Sequence, residues 1–216
     1  MKIFRILVLC VGLITAAASA TAQGRDFLSG KALVDALRRG GYNIYFRHAA
    51  TDWSLNDQVE AYGDWTDCSP GRMRQLSDEG RATARRIGDA IRRLGVPIGP
   101  VFSSEYCRTR QTAEQMDLGP VKTTIEIMNM RAADFVGGRN AVTERAREKL
   151  SIPPPKGTNA LFVAHGNLMR AVSGAYTDEA GAVVFDPRGG GKIELVAELT
   201  AEDWQRLADT FAEAEE

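Results

Sequence analysis

Four nitrogen-bearing side chains stand at or shortly after the ends of apolar segments of the chain. They are Arg47, His48, Arg108 and His165, and the sequence contains no other histidine. A guanidinium group can bind two phosphate oxygens at once, and a neutral imidazole nitrogen can accept a phosphoryl group. Because phosphoryl transfer depends mainly on positioning and on neutralisation of charge, this set predicts phosphate-monoester chemistry that needs no metal ion and no cofactor.

The segments that would position these side chains alternate between strand-like and helix-like patterns. Strands are predicted over 42–46, 100–103, 122–128, 159–164, 182–185 and 192–199, and helices over 31–39, 78–94, 106–116, 139–150, 168–175 and 201–212. Ser77 and Thr200 are predicted to cap the helices that follow them. The alternation predicts an α/β fold, a three-layer sandwich with a mainly parallel central sheet flanked by helices.

The carboxyl ends of parallel strands meet at one edge of a sheet, and open α/β sheets bind their ligands there. Three polar clusters follow predicted strands. They are Arg47–His48, Ser103–Ser104 with Arg108, and His165–Gly166. We therefore expect these clusters to meet around one phosphate group, with the helix that begins near Gly166 directing backbone N–H groups at the anion.

Residues 1–22 have the pattern of a secretory signal peptide. Lys2 and Arg5 precede an apolar run over 6–18, and a small-x-small cleavage signature ends at Ala22. The apolar run is short for a membrane span, although an uncleaved anchor is the alternative interpretation. We predict a signal peptide over 1–22, a single domain over 23–216 with no stable membrane span after cleavage, and a periplasmic or secreted protein.

The composition bounds the class of partner. The 216 residues include 27 Lys and Arg against 28 Asp and Glu, a formal net charge of −1. A chain so close to neutrality gives no reason to expect nucleic acid or an anionic membrane as partner. We therefore look for function in a local site, with a small-molecule phosphate ester or a phosphorylated macromolecule as substrate.

Four segments together resemble the motifs of one family, the histidine phosphatase or phosphoglycerate-mutase-like superfamily, and in particular its exported bacterial members. The segments are 45–51 (YFRHAAT), similar to the RHG-type motif; 76–81 (LSDEGR), similar to an "LSxxG" helix start; 103–113 (SSEYCRTRQTA), similar to the second phosphate-binding motif; and 163–166 (VAHG), similar to the second histidine motif. Their order and spacing agree over nearly all of the predicted mature chain, so the resemblance implies the fold of that superfamily.

The resemblance also implies roles for individual residues. His48 is implied to be the nucleophile that becomes phosphohistidine, and Arg47 and Arg108 are implied to hold the phosphoryl oxygens. His165 would contact the phosphoryl group and stabilise its transition-state charge, with Thr51 as a further phosphate-binding residue. The activity implied is that of a histidine acid-type phosphatase, a phosphoric monoester hydrolase without a metal.

Two departures from the family pattern bear on the chemistry. Ala49 replaces the usual glycine of the first motif, and a methyl group there is expected to crowd the approach of phosphate slightly. In addition, many members carry a glutamate in an "LxE" context after the third strand, but residues 128–134 contain no glutamate. Protonation of the leaving alcohol requires an acid, and the candidates are Asp134, Glu126 and Glu179.

These departures leave two rivals to a phosphatase. A phosphomutase would return the phosphoryl group to a substrate, and predicted export argues against it because glycolytic substrates are cytosolic. A phosphate-binding module of the same fold, without turnover, would explain the missing acid.

Two cysteines, Cys68 and Cys107, lie outside the predicted signal peptide. In an oxidising compartment such a pair favours a disulfide, although two separate buried thiols are also compatible with the sequence. The bond would close a loop of about 40 residues and contribute roughly 3–4 kcal/mol. It would also pin the loop of Arg108 against the loop after His48. Two cysteines and two distant histidines make a zinc site improbable.

Overall fold

The structure, a computed structural model, describes residues 27–212, so the predicted signal peptide lies outside the described residues. Six strands form one sheet: β1 (Asn43–Arg47), β2 (Ile98–Ser104), β3 (Val121–Thr124), β4 (Asn159–Ala164), β5 (Ala182–Pro187) and β6 (Ile193–Leu199). Their order across the sheet is β3-β2-β4-β1-β5-β6. β1 to β4 are parallel to their neighbours among themselves, whereas β5 is antiparallel to both β1 and β6. The predicted mainly parallel sheet is confirmed.

Helices cover both faces of this sheet. They are α1 (Gly30–Arg39), α2 (Asp78–Arg93), α3 (Cys107–Met116), α4 (Gly138–Leu150), α5 (Gly166–Ser173) and α6 (Ala201–Phe211). α1, α2, α3 and α6 contribute to the core on one face, and α4 and α5 to the core on the other. The predicted three-layer sandwich is therefore confirmed. Within residues 27–212, no helix has the length and apolar character needed to cross a membrane.

The two central strands, β1 and β4, are buried on both faces. Every residue of each strand is buried, and successive residues alternate between the two cores, so that Phe46 faces one and Tyr45 the other. Phe46 stacks on Trp204 of α6 with ring centroids 5.7 Å apart. Burial of one such side chain is worth about 1.5–3 kcal/mol. Coverage on both faces explains why these strands appear in the sequence as continuous apolar runs.

The register of β1 against β4 brings the two histidines together. Arg47 pairs with Ala164 across the parallel ladder, and the backbone N–H of His48 donates to the carbonyl of Ala164 at 3.0 Å. His48 directly follows the last residue of β1, and His165 directly follows the last residue of β4. Both histidines therefore leave the sheet at the same level.

Several predicted element boundaries are wrong, and two elements show a clear local cause. The predicted strand over 122–128 ends at Thr124, because the Thr124 hydroxyl accepts from the Glu126 N–H at 3.2 Å and starts a 3-10 turn, Ile125–Ile127, that buries Ile127. The helix predicted over 168–175 instead begins at Gly166 and ends at Ser173, where Gly174 adopts a left-handed conformation (φ 80°). Such a residue ends the helical hydrogen-bond pattern.

Both predicted helix caps are confirmed. The Ser77 hydroxyl accepts from the Gly80 N–H at 3.0 Å, and Thr200 forms a reciprocal capping box with Asp203. Gly80 also allows α2 to approach the segment after the nucleophile, since a Cβ there would lie 2.1 Å from the Ala50 carbonyl oxygen. The "LSxxG" segment therefore fixes α2 against the backbone next to His48.

Candidate active site

A cavity of about 150 Å³ lies at the carboxyl ends of β1 and β4. It is lined by Arg47, His48, Trp53, Arg74, Arg108, Asn129, Arg131, His165, Gly166, Asn167 and Tyr176. Four of these residues carry a guanidinium group and two an imidazole, and none of these lining residues is acidic. The three sequence clusters therefore meet at one edge of the sheet, and the cavity that they form is suited to a small anion.

The His48 side chain is buried, with 3% of its surface exposed. Its Nδ1 lies 2.9 Å from the Ala49 carbonyl oxygen. Because a carbonyl oxygen only accepts, Nδ1 carries the proton in this bond, and Nε2 keeps its lone pair. Burial, followed by the charge of Arg108, holds the pKa of His48 well below 6.5. The imidazole is therefore neutral at neutral pH and can act as a nucleophile.

His165 lies opposite His48, with ring centroids 5.9 Å apart. The Asn129 amide donates to its Nδ1 at 3.0 Å, so the proton is on Nε2, which donates to the Ser104 hydroxyl at 2.9 Å. The Tyr45 hydroxyl fixes the backbone by donating to the His165 carbonyl at 2.9 Å and accepting from its N–H at 3.1 Å. Burial, and then the charge of Arg108, lower the pKa of His165 well below 6.5.

Arg47 crosses the beginning of α5. Its guanidinium donates to the Tyr176 hydroxyl and to the Thr177 carbonyl, each at 3.0 Å. A Cβ on Gly166 would lie 3.0 Å from the Arg47 Cδ and 2.9 Å from the Tyr176 ring. A methyl group after the second histidine would therefore crowd both the arginine and the tyrosine.

Arg108 is held by a carboxylate. Its guanidinium donates to Asp57 Oδ1 at 2.8 Å, and the side chains of the pair are 1% and 2% exposed. The same oxygen accepts from the backbone N–H of Arg74 at 3.1 Å. Asp57 thus joins the loop that follows the nucleophile to the beginning of α3.

A disulfide reinforces this junction. Cys68 and Cys107 are bonded, with Cα atoms 5.6 Å apart and a sequence separation of 39. Cys107 precedes Arg108 at the beginning of α3. The predicted disulfide is confirmed, and it ties the loop to the helix that carries the arginine.

The structure separates the three candidate acids. Glu179 lies beside the nucleophile, with Oε1 at 3.9 Å from His48 Nδ1 and 3.8 Å from the Arg47 guanidinium. Asp134 is exposed on a 3-10 helix, Met130–Phe135. Glu126 forms an ion pair with Lys149 at 2.8 Å instead.

Thr51 and Ala49 do not line the cavity. The Thr51 hydroxyl donates to Glu179 Oε1 at 3.3 Å, so its predicted phosphate contact stays a prediction. The Ala49 methyl group is buried in the core next to α1 and α2. The expected crowding of phosphate by this methyl group is therefore wrong, because the side chain points into that core.

Sequence reasoning missed several residues of the site, among them Asp57, Arg74 and Asn129. Asp57 and Arg74 come from the polar segment 49–74, which has no periodicity to place them. Asn129 stands in the region where an acid was expected, and its amide holds His165 and Asn167 instead. A signal for it could have been its position just after the third strand, close to the place where the family has its glutamate.

Comparisons with known proteins agree with this geometry. A family model described as "Histidine phosphatase superfamily (branch 1)" matches residues 44–153, a segment that includes Arg47, His48 and Arg108 and ends before His165. No curated protein matches the sequence. Among the described residues, no group of three or more His, Cys, Asp or Glu side chains could hold a metal ion.

Solved structures show the same fold at low identity. A structure described as mycobacterial hydrolase 1 is 17% identical over 74% of this chain and 98% of its own, with a TM-score of 0.51. The protein histidine phosphatase SixA complexed with tungstate is 14% identical over 75% and 98%, with a TM-score of 0.51. The phosphoserine phosphatase of Entamoeba histolytica in complex with 3-phosphoglyceric acid is 14% identical over 76% and 98%, with a TM-score of 0.52.

Proposed function

Because this chain belongs to the histidine phosphatase superfamily, we propose that it hydrolyses phosphate monoesters through a phosphohistidine intermediate on His48. The observation that carries the proposal is the state of His48. Its imidazole is neutral, the Nδ1–H donates a hydrogen bond to a carbonyl oxygen, and Nε2 keeps its lone pair. The ring lines a cavity rich in arginine.

The proposed reaction has two displacements at phosphorus. His48 Nε2 forms a bond to phosphorus while the ester P–O bond breaks, and the leaving alcohol oxygen takes up a proton. Water then attacks phosphorus, the P–N bond breaks, and inorganic phosphate leaves. Arg47 and Arg108 would neutralise the equatorial oxygens, and the His165 Nε2–H would turn from Ser104 to the transferring group. These groups supply the positive charge themselves, so the proposed reaction needs no metal.

Glu179 is the proposed proton carrier. Among the three acids suggested by the sequence, it is the one that contacts the nucleophile's surroundings, through Thr51 at 3.3 Å and Trp53 at 3.4 Å as well as His48. General acid catalysis typically contributes about 10²–10⁴-fold. We expect Glu179→Gln to slow hydrolysis of alkyl phosphates by roughly 10²-fold or more, and of p-nitrophenyl phosphate much less, because nitrophenolate leaves without a proton. An equal loss on both substrates would remove Glu179 from this role.

The test of the function is turnover of a panel of phosphate esters in EDTA, with phosphate trapped on the protein by acid-free quenching. With a substrate labelled in its phosphate group, wild-type protein should release inorganic phosphate and carry the label on a histidine. His165→Ala should slow turnover but still take up label, whereas His48→Ala should lose both. Label without phosphate release, with transfer to a second alcohol position, would favour a mutase. Phosphate binding without either would favour a binding module.

We also propose that the protein works in an oxidising compartment, periplasmic or extracellular. The Cys68–Cys107 disulfide supports this, because structural disulfides persist outside the reducing cytosol. The test is the N-terminal sequence of the protein recovered from its producing cells. It should begin near Gln23, and an N-terminus at Met1 would contradict predicted cleavage.

A further inference from the structure

Arg74 is a buried arginine that the proposed chemistry does not yet use. It lines the same cavity as His48 and His165 and is 6% exposed. Its Nε is buried and has no hydrogen-bond partner among the described residues. A charged donor left in this state costs folding free energy unless a ligand completes it.

The surroundings of Arg74 hold it in place without neutralising it. Its guanidinium carbon lies 3.9 Å from the centroid of the Trp53 ring, which covers one face of the group. Its backbone N–H and the Arg108 guanidinium converge on a single oxygen of Asp57. That carboxylate pairs with the Arg108 guanidinium at 2.8 Å, whereas Arg74 reaches it through its backbone alone.

The size of the cavity limits what the Arg74 guanidinium can bind. A space of about 150 Å³ holds a tetrahedral oxyanion together with part of the group bonded to it. Burial, and then the charge of Arg108, lower the pKa of Arg74, so an anion in the cavity would offset a positive charge that is costly to bury. Arg72, by contrast, comes from the same loop but does not line the cavity, and its side chain is 40% exposed beside Asp67.

We propose that Arg74 is a third guanidinium group that binds the transferred phosphoryl group itself, in addition to Arg47 and Arg108. The inference rests on the proposed function in one respect, that the bound group is the one His48 would accept. The affinity of Arg74 for phosphate oxygens does not depend on turnover. The ion pair with Asp57 partly neutralises Arg108. Arg74 adds a positive charge on the side of the cavity formed by the loop after the nucleophile. Trp53 keeps the stacked face of Arg74 from water and so makes it a positioning residue for this contact.

The experiment is calorimetric titration of the disulfide-bonded protein with inorganic phosphate and with tungstate, neither of which has a leaving group. Arg74→Met keeps the length of the side chain and removes the charge, and Arg72→Met, on the same loop but outside the cavity lining, is the matched control. Loss of one charge-assisted contact should raise the Kd of both anions by roughly 10–100-fold in Arg74→Met. Arg72→Met should change it by less than about 3-fold, the range of an exposed charge.

A second variant separates binding from folding. Arg74→Lys keeps the charge but loses the planar fork, so it should fold and raise the Kd of phosphate by an intermediate factor, roughly 3–10-fold. A Kd within twofold of wild type in either Arg74 variant would overturn the proposal. So would a higher KM for esters with an unchanged phosphate Kd, since Arg74 would then bind the leaving group. If wild-type protein binds phosphate but never turns over an ester, the proposed function fails while this assignment can still be confirmed.

Discussion

The cavity has two sides that are built differently. The strand-end side, defined here as Arg47, His48 and His165, follows directly from the two central strands, and its spacing is set by backbone hydrogen bonds such as the one from His48 to Ala164. The loop side, defined here as Trp53, Asp57 and Arg74, comes from a segment without regular structure.

The loop side is held by contacts that span long stretches of sequence. Asp57 pairs with Arg108 across 51 residues, and the disulfide bonds Cys68 to Cys107 across 39. The site is therefore divided into a side held by strand hydrogen bonds and a side held by side-chain contacts between distant segments. The strand-end side can hold the chemistry rigidly, while the loop side adds charge and shape through a few replaceable contacts. Four predictions test that division, from the largest expected effect to the smallest.

The strand-end side should carry most of the rate. His48→Ala should lower kcat for p-nitrophenyl phosphate by at least roughly four orders of magnitude, since removal of a nucleophile leaves only residual catalysis by the remaining site. Trp53→Ala, on the loop side, should lower the same kcat by less than about 10²-fold, because Trp53 acts only through Arg74 and Glu179. Steady-state kinetics on both variants provides the measurement. Comparable losses would break the proposed division between the two sides.

Asp57 should matter more for stability than for chemistry. Removing one partner of a buried ion pair typically costs about 3–5 kcal/mol, because the other charge is left unpaired. We expect Asp57→Ala to lose that amount in urea unfolding, and Asp57→Ala combined with Arg108→Met to regain part of it. The exposed pair Arg93–Asp209 is the control, and Asp209→Ala should cost no more than about 1 kcal/mol. Additive losses in the double variant would contradict a direct Asp57–Arg108 coupling.

Much of the strand-end side could be predicted from the sequence, whereas most of the loop side could not. The strand-end side was accessible because continuous apolar runs mark the central strands and a parallel ladder brings their ends together. Asp57 and Arg74 were not, because their place depends on a chain reversal in segment 49–74 that no periodicity encodes. The end of β3 was misjudged for a local reason, since Thr124 caps a turn inside an otherwise strand-like run.

The disulfide offers a milder way to loosen the loop side alone. Closure of a loop of this length should contribute roughly 3–4 kcal/mol to stability, so reductant should lower the melting temperature of wild type. Phosphate affinity should fall as well, because the bond fixes the segment that carries Asp57 and Arg74 next to α3. Cys68→Ser should show the same lower melting temperature with and without reductant. Identical melting of wild type under both conditions would count against the bond as a stabilising tether.

The histidines should also make stability depend on pH. Both have a pKa in the folded state well below 6.5, so the unfolded chain binds protons that the folded chain excludes. Stability from this source is full above about pH 6.5 and is lost as pH falls from there toward the lowered values. Because the chain has two histidines, His165→Asn should weaken the dependence in this window. Urea unfolding between pH 7 and 5 measures it, and an unchanged slope in the variant would refute the assignment.

The position of β1 and β4 in the middle of the sheet has a dynamic consequence. Strands enclosed by neighbours on both edges open only when most of a domain unfolds, whereas loop segments exchange their amide hydrogens through small local fluctuations. The amides of Phe46 and Val163 should therefore exchange with deuterated solvent among the slowest in the chain. The loop side can then fluctuate many times without separating the two imidazoles.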